Sequence, residues 1–229
     1  MIKFIKNEMQ SWQPFEVAWL LFCESSIIGL SIYWESSSLG IVAAATGMAY
    51  TIFAGKGKIS CFLFGIINTP LYAYLAWEQK YFGDMALNVY YFCMMFPGIL
   101  AWRKNMKENS VIVKSRLSNY ERSIWGFAML GFTIALWGIL SHVGGNRPLC
   151  DALTNVLSIS AMILTVKRCI EQWVMWTLVN LIEIFMWWHV WIEKGNMISI
   201  LLMWTLFLIN GIFLFYLWQK DIKNEEPAK

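Results

Sequence analysis

Eight apolar runs divide the 229-residue chain, each close to the roughly 20 residues that one helix needs to cross the hydrocarbon core of a bilayer. They are segments A (17–34), B (39–55), C (59–77), D (82–102), E (123–142), F (151–167), G (171–192) and H (196–218). B and F are short for spans, and A carries Glu24. The connections between them are brief and polar; the longest, from about Arg103 to Arg122, is too short for a second domain. The pattern predicts an all-α polytopic membrane protein of eight helices, whose chemistry lies inside the bilayer.

Sliding the chain against itself by 112 residues lays B, C and D over F, G and H without a gap. Asn68 then meets Asn180, FGDM (82–85) meets KGNM (194–197), and the basic turn at Lys56 meets Arg168. The two triplets start four spans apart, an even number, so they cross the membrane in the same direction. The expected architecture is a 3+1+3 parallel repeat. Its first three-helix repeat is 39–102 and its second is 151–218, with a basic cytoplasmic loop and linker helix at 103–150 between them. An N-terminal segment and extra helix (1–38) precede the repeats, and a cytoplasmic tail (219–229) follows. Transporters built from such repeats hold their substrate near the bilayer midplane.

Charge supplies the orientation. Of the 18 Lys and Arg, all but Lys80, Arg147 and Lys194 fall on one side of the eight-span topology. Cytoplasmic connections hold that excess, so both termini are expected in the cytoplasm. Composition agrees with the membrane class, at 58% hydrophobic, 14% charged and a mean hydropathy of +0.51. The net charge of +3 follows from the inner connections and implies no nucleic-acid partner. Five cysteines without a CxxC pair imply neither a disulfide framework nor a metal site. The chain has no GxxxxGK[ST] loop with which to bind ATP. His142 and His189 lie singly on separate segments, which disfavours a haem or quinone oxidoreductase subunit, and no cofactor is expected.

Against this apolar background the polar side chains inside the runs carry the information. In G, Trp173, Trp176, Asn180, Glu183 and Trp187 follow at steps of three and four and share one helix face. A carboxylate in the membrane core costs at least about 2.5–3.5 kcal/mol, so Glu183 is expected to face the bundle interior or a wet cavity. Indoles beside hydrogen-bonding groups suit a ring joined to a sugar; helix-to-helix hydrogen bonding is the plainer role for the same amide and carboxyl. In D, Asp84, Asn88, Tyr91 and Met95 form a second stripe, with Asp84 placed to cap the helix start. In C, Asn68 and Tyr72 share a face. Groups from both halves are expected to converge on one pocket. Pro70 and Pro97 lie inside spans, where the missing N–H bends a helix into a hinge. Gly126, Gly131 and Gly138 are expected to permit close packing of E, and Trp12, Trp102, Trp125, Trp191 and Trp218 to anchor span ends at the interface.

The run NTPLYAYLAWEQKYFGDMALNVYYF (68–92), followed by Gly98 and Trp102, resembles the signature region of the PnuC transporters of vitamin B3 nucleosides. WVMWTLVNLIEIFMWW (173–188) resembles their second-half counterpart, and the similarity runs from B through H. The resemblance implies a transporter and not an enzyme, one that takes up nicotinamide riboside across the bacterial inner membrane by facilitated diffusion, with a cytosolic kinase trapping the product. It also implies a helix arrangement distantly like that of the SWEET sugar transporters, and a homotrimer. Related members carry thiamine, riboflavin or deoxynucleosides, which stand as alternative substrates. With a cationic pyridinium and a ribose as cargo, the expected binding residues are Asn68, Tyr72, Asn88, Tyr91, Trp176, Asn180, Glu183, Trp187 and Trp188. The indoles would face the ring, and the amides and carboxyl the hydroxyls and positive charge.

Overall fold

The computed structural model describes residues 8, 12–78, 80, 82–107, 111–144, 147–194 and 198–225. Gly195, Asn196 and Met197 of the KGNM match, and the last four residues of the tail, lie outside them. The described fold is all helical: α1 (Pro14–Tyr33), α2 (Ser38–Gly55), α3 (Cys61–Glu78), α4 (Phe82–Lys104), α5 (Asn119–Val143), α6 (Pro148–Val166), α7 (Glu171–Lys194) and α8 (Ile198–Glu225).

Local chemistry sets several of these boundaries. Ser37 caps α2 by accepting the Gly40 amide at 3.1 Å. Ser118 and Glu121 form a reciprocal capping box at the start of α5. Pro14 and Pro148 occupy first turns, where a missing amide hydrogen costs nothing, and Gly144 ends α5 in the left-handed conformation, φ 84°. Pro70 and Pro97 stand within α3 and α4, which run on through them.

By length and composition six helices can cross a membrane: α1, α2, α5 and α6 in full, and 83–104 and 201–224 of α4 and α8. The short segments B and F and the Glu24-bearing segment A are among them. The two that fall below the threshold are α3 and α7. Their apolar character is diluted by Asn68, Pro70 and the tyrosines in one, and by Asn180, Glu183 and the tryptophans in the other.

The chain forms two compact units, Met1–Lys114 and Ser115–Lys229. In the first, α1 packs on α2, α2 on α3 and α3 on α4; in the second, α5 packs on α6, α6 on α7 and α7 on α8. The first unit has an ordered basic end: Lys56 Nζ reaches both carboxylate oxygens of Glu16 at 2.7 Å, and Ser60 donates to the buried Glu8 carboxylate. Lys58 is fully buried there, and burial pulls its ammonium below the usual lysine range, an effect the Glu8 charge opposes.

Two tryptophans depart from the sequence expectation. Trp102 and Trp218 are not interface anchors: both are 0% exposed. Trp102 meets Phe62 edge-on at 4.9 Å, and Trp218 meets Trp173 edge-on at 5.8 Å. The glycines of α5 also depart from expectation. A Cβ at Gly126, Gly131 or Gly138 would meet nothing within 4 Å, so these residues do not mediate close packing. That role falls to Gly98, where a Cβ would lie 2.3 Å from the Phe62 ring, and to Gly65, where it would lie 2.5 Å from Met95 Sδ. Gly98→Ala is therefore expected to destabilise the first unit by about 1–3 kcal/mol through overpacking, while Gly126→Ala changes nothing. Thermal unfolding of the two variants in detergent checks this; equal midpoints would show that Phe62 has room to move.

Candidate functional site

Helix α7 has two distinct faces. Val174, Leu178, Leu181, Phe185 and Trp188 are exposed and follow at steps of four and three. The opposite face carries the stripe singled out in the sequence: Trp173 and Asn180 are buried, and Trp176, Glu183 and Trp187 are half-buried. The polar groups of α7 thus turn toward protein and an apolar row turns outward, as expected where lipid is the surrounding medium. Trp188 belongs to the outward row, not to the stripe, because one residue along a helix is a turn of about 100°; it packs edge-on with Trp191 at 5.3 Å.

Within the stripe the side chains differ in how they are satisfied. Glu183 accepts the Trp187 indole N–H at 3.2 Å, one turn along the same helix. Asn180 is 6% exposed. It lies against α8 where Gly211 leaves space, its Nδ2 3.8 Å from the position of a Cβ there. Trp173 Nε1 is buried and has no partner among the described residues. A buried polar group left unpaired costs about 1–3 kcal/mol, which sets the Trp173 indole N–H apart from the other groups of the stripe.

Two further polar features of the second unit escaped the sequence reading. Asn210, next to Gly211 on α8, is 1% exposed. On α6, Thr154, Asn155 and Ser158 lie on one face below Asp151, at helical spacing. Thr154 and Asn155 donate to the Asp151 carbonyl at 3.2 and 2.8 Å, while Ser158 is buried. A lone amide in the run LLMWTLFLINGIF, and polar residues at steps of three, one and three in segment F, were the available signals.

In the first unit the predicted residues are more dispersed. Asn68 Nδ2 donates to the Ala43 carbonyl of α2 at 2.6 Å, in a gap left by Gly47. Tyr72 is exposed. Asn88 donates to the Asp84 carbonyl one turn earlier in α4, at 2.9 Å, and Tyr91 is half-buried with its ring 5.8 Å from that of Tyr90.

The exposed rows of α3 and α7 share one spacing. The exposed row of α3 is Leu63, Ile67, Pro70, Tyr74 and Trp77, and each member precedes its equivalent in the α7 row by 111 residues, not 112. The helix-ending Lys56 and Lys167, and the left-handed Gly57 (φ 68°) and Arg168 (φ 62°) after them, keep the same spacing. In this phase Asn180 corresponds to the buried Thr69 and not to Asn68, and Glu183 to Tyr72. Asn68 therefore faces α2 while Asn180 faces α8. Thr69 donates its hydroxyl to the Gly65 carbonyl at 2.8 Å.

A family profile described as "Nicotinamide mononucleotide transporter" matches residues 37–220. The chain is 34% identical over 222 residues to "Nicotinamide riboside transporter PnuC" of Neisseria mucosa, covering 93% of this chain and 84% of that protein. It is 30% identical over 226 residues to the protein of the same description from Haemophilus influenzae, covering 96% of each. Among solved structures, "Crystal structure of the Vitamin B3 transporter PnuC" superposes with a TM-score of 0.84 at 32% identity, covering 99% of this chain and 100% of that one.

Proposed function

Since this chain belongs to the PnuC family of nicotinamide mononucleotide and riboside transporters, we propose that it carries nicotinamide riboside across a membrane. The observation that carries this reading is the inward face of α7, where the buried Asn180 sits between indoles and one turn from the Glu183–Trp187 pair, with the unpartnered Trp173 indole N–H on the same face. A pyridinium over an indole face gains about 0.5–2 kcal/mol, and Trp176 and Trp187 are the rings proposed for it. Asn180 and Glu183 accept from ribose hydroxyls, and the carboxyl favours the positive ring. Asn68 through its open carbonyl oxygen, and Tyr72, Asn88 and Tyr91, are the first-unit contacts in this proposal. Trp188, on the outward row, is left out.

The two nouns in the relatives' descriptions differ by a phosphate, and the stripe bears on the choice. The mononucleotide adds a charge of about −1.5 to −2, which repels Glu183, and no Lys or Arg occurs in α7 before its last residue. The riboside is favoured on this ground. Titrating tryptophan fluorescence of the purified protein with nicotinamide riboside, its mononucleotide, thiamine and riboflavin tests the reading. Saturation by the riboside alone supports it, while preference for the mononucleotide or for either other vitamin removes it.

We read α2–α4 and α6–α8 as two copies of one three-helix unit, with α5 as linker, in a trimer in the bacterial inner membrane with both termini cytoplasmic. Transport is taken as uniport by alternating access, with a cytosolic kinase consuming the product. Glu24 and Glu183 are the acidic groups within the helices best placed for ion coupling, and Glu183 is already held by Trp187. Uptake into liposomes is accordingly expected to be flat across an imposed pH gradient; uptake that follows the gradient would make this a proton-coupled carrier.

A further inference from the structure

The second unit contains a cavity of about 420 Å³ away from the Asn180–Glu183 stripe, bordered by Val174 and Leu178 of the outward row of α7. Its mouth lies where α5 and α7 begin and α8 nears its end, and is formed by Arg116, Arg122, Glu171 and Gln219. Its deeper wall is apolar: Trp125, Met129, Leu157, Leu178 and Phe215. Along α5 from Arg122 to Met129, and along α7 from Glu171 to Leu178, the lining descends seven residues, about 10 Å at 1.5 Å per residue. Charge therefore gives way to hydrocarbon over about a third of the thickness of a bilayer core.

The charges at the mouth do not cancel. Glu171 is neutralised by Arg122, whose Nε and Nη2 lie 3.0 and 2.7 Å from Oε1, and by the Leu117 amide at 3.2 Å. Arg116 is exposed beside this pair. Lys167, within electrostatic reach of the Glu121 carboxylate, holds its Nζ 5.7 Å from the Trp125 ring centroid, and that ring lines the cavity, so three cations stand against two carboxylates. A net positive mouth on an apolar shaft at the end of a membrane helix bundle is complementary to one molecule in particular, a phospholipid with an anionic head group.

We propose that this cavity is a binding site for an anionic phospholipid. The head-group phosphate lies against Arg116 and the Lys167–Trp125 pair, and the start of one acyl chain enters between Met129, Leu157 and Leu178. The Arg122–Glu171 pair acts as the rigid rim, because both partners are already satisfied.

Native mass spectrometry of the full-length protein, released from detergent with phosphatidylglycerol or phosphatidylcholine added, reads the site directly. The wild type is expected to retain phosphatidylglycerol in preference to phosphatidylcholine. Arg116→Gln, at an exposed position where folding is not at stake, is expected to lower that retention about fivefold, the effect of one basic residue near an anionic surface. Leu157→Trp, which fills the shaft, should lower it without touching the charges, and an unchanged unfolding midpoint certifies the fold. Excess glycerol 3-phosphate should displace nothing. Equal retention of phosphatidylcholine, displacement by glycerol 3-phosphate, or no loss in both variants would overturn the site, the second by making it a site for a free anion.

Discussion

Asn180→Leu is expected to weaken binding of nicotinamide riboside by about 10- to 100-fold while leaving thermal stability unchanged or slightly higher. The two halves of this expectation have one origin. Asn180 is a buried polar residue, so keeping an amide there carries a desolvation cost that an apolar side chain would not. Leucine has nearly the same volume and removes that cost. With substrate present the loss reverses: a ribose or carboxamide group that paired with the amide is left unsatisfied, at about 1–3 kcal/mol. Asn68→Leu makes the contrast, because the Nδ2 bond to the Ala43 carbonyl ties α3 to α2. That variant is expected to lose stability, by about 0.6–2 kcal/mol, as well as affinity. Parallel fluorescence titrations and unfolding curves separate the two. A destabilised Asn180→Leu protein with wild-type affinity would turn Asn180 into a helix-packing residue.

Trp187→Ala is expected to cost up to about 30-fold in affinity, the upper range of a desolvated cation over an indole. Trp187→Phe should recover most of it, since the flat ring remains and only the N–H to Glu183 is lost. Glu183→Gln completes the set. It should lower affinity for the cationic riboside but spare a neutral nucleoside, if one binds. Trp188→Ala, on the outward row, is expected to bind like the wild type. Equal losses at Trp187 and Trp188 would mean that the rings serve the bilayer and not the substrate.

The candidate site was partly legible before any coordinates. Glu183 and Asn180 stand out because polar groups are rare in long apolar runs, and their spacing with the indoles placed them on one face. Ser158, Thr154 and Asn210 did not stand out, because small hydroxyls and single amides are common helix-packing groups in membranes. The match of Asn68 with Asn180 did not carry over to their surroundings, Asn68 facing α2 and Asn180 facing α8, because one residue of shift rotates a side chain by about 100° to another neighbour.

By itself the sequence determined that the chain is helical, where each helix begins and ends to within four residues except that α8 runs seven residues past the expected end of segment H, and which runs suit a bilayer. These follow from one constraint: in hydrocarbon every backbone group must be satisfied locally, over about 20 apolar residues. Only the tertiary structure decided which side of each helix meets protein. In a water-soluble bundle hydropathy separates inside from outside, but here lipid and core are equally apolar, so Trp102 and Trp218 could be read as anchors although both are fully buried. For the same reason the packing glycines proved to be Gly65 and Gly98 and not those of α5. Contact between neighbouring side chains, which no hydropathy pattern encodes, drew that distinction.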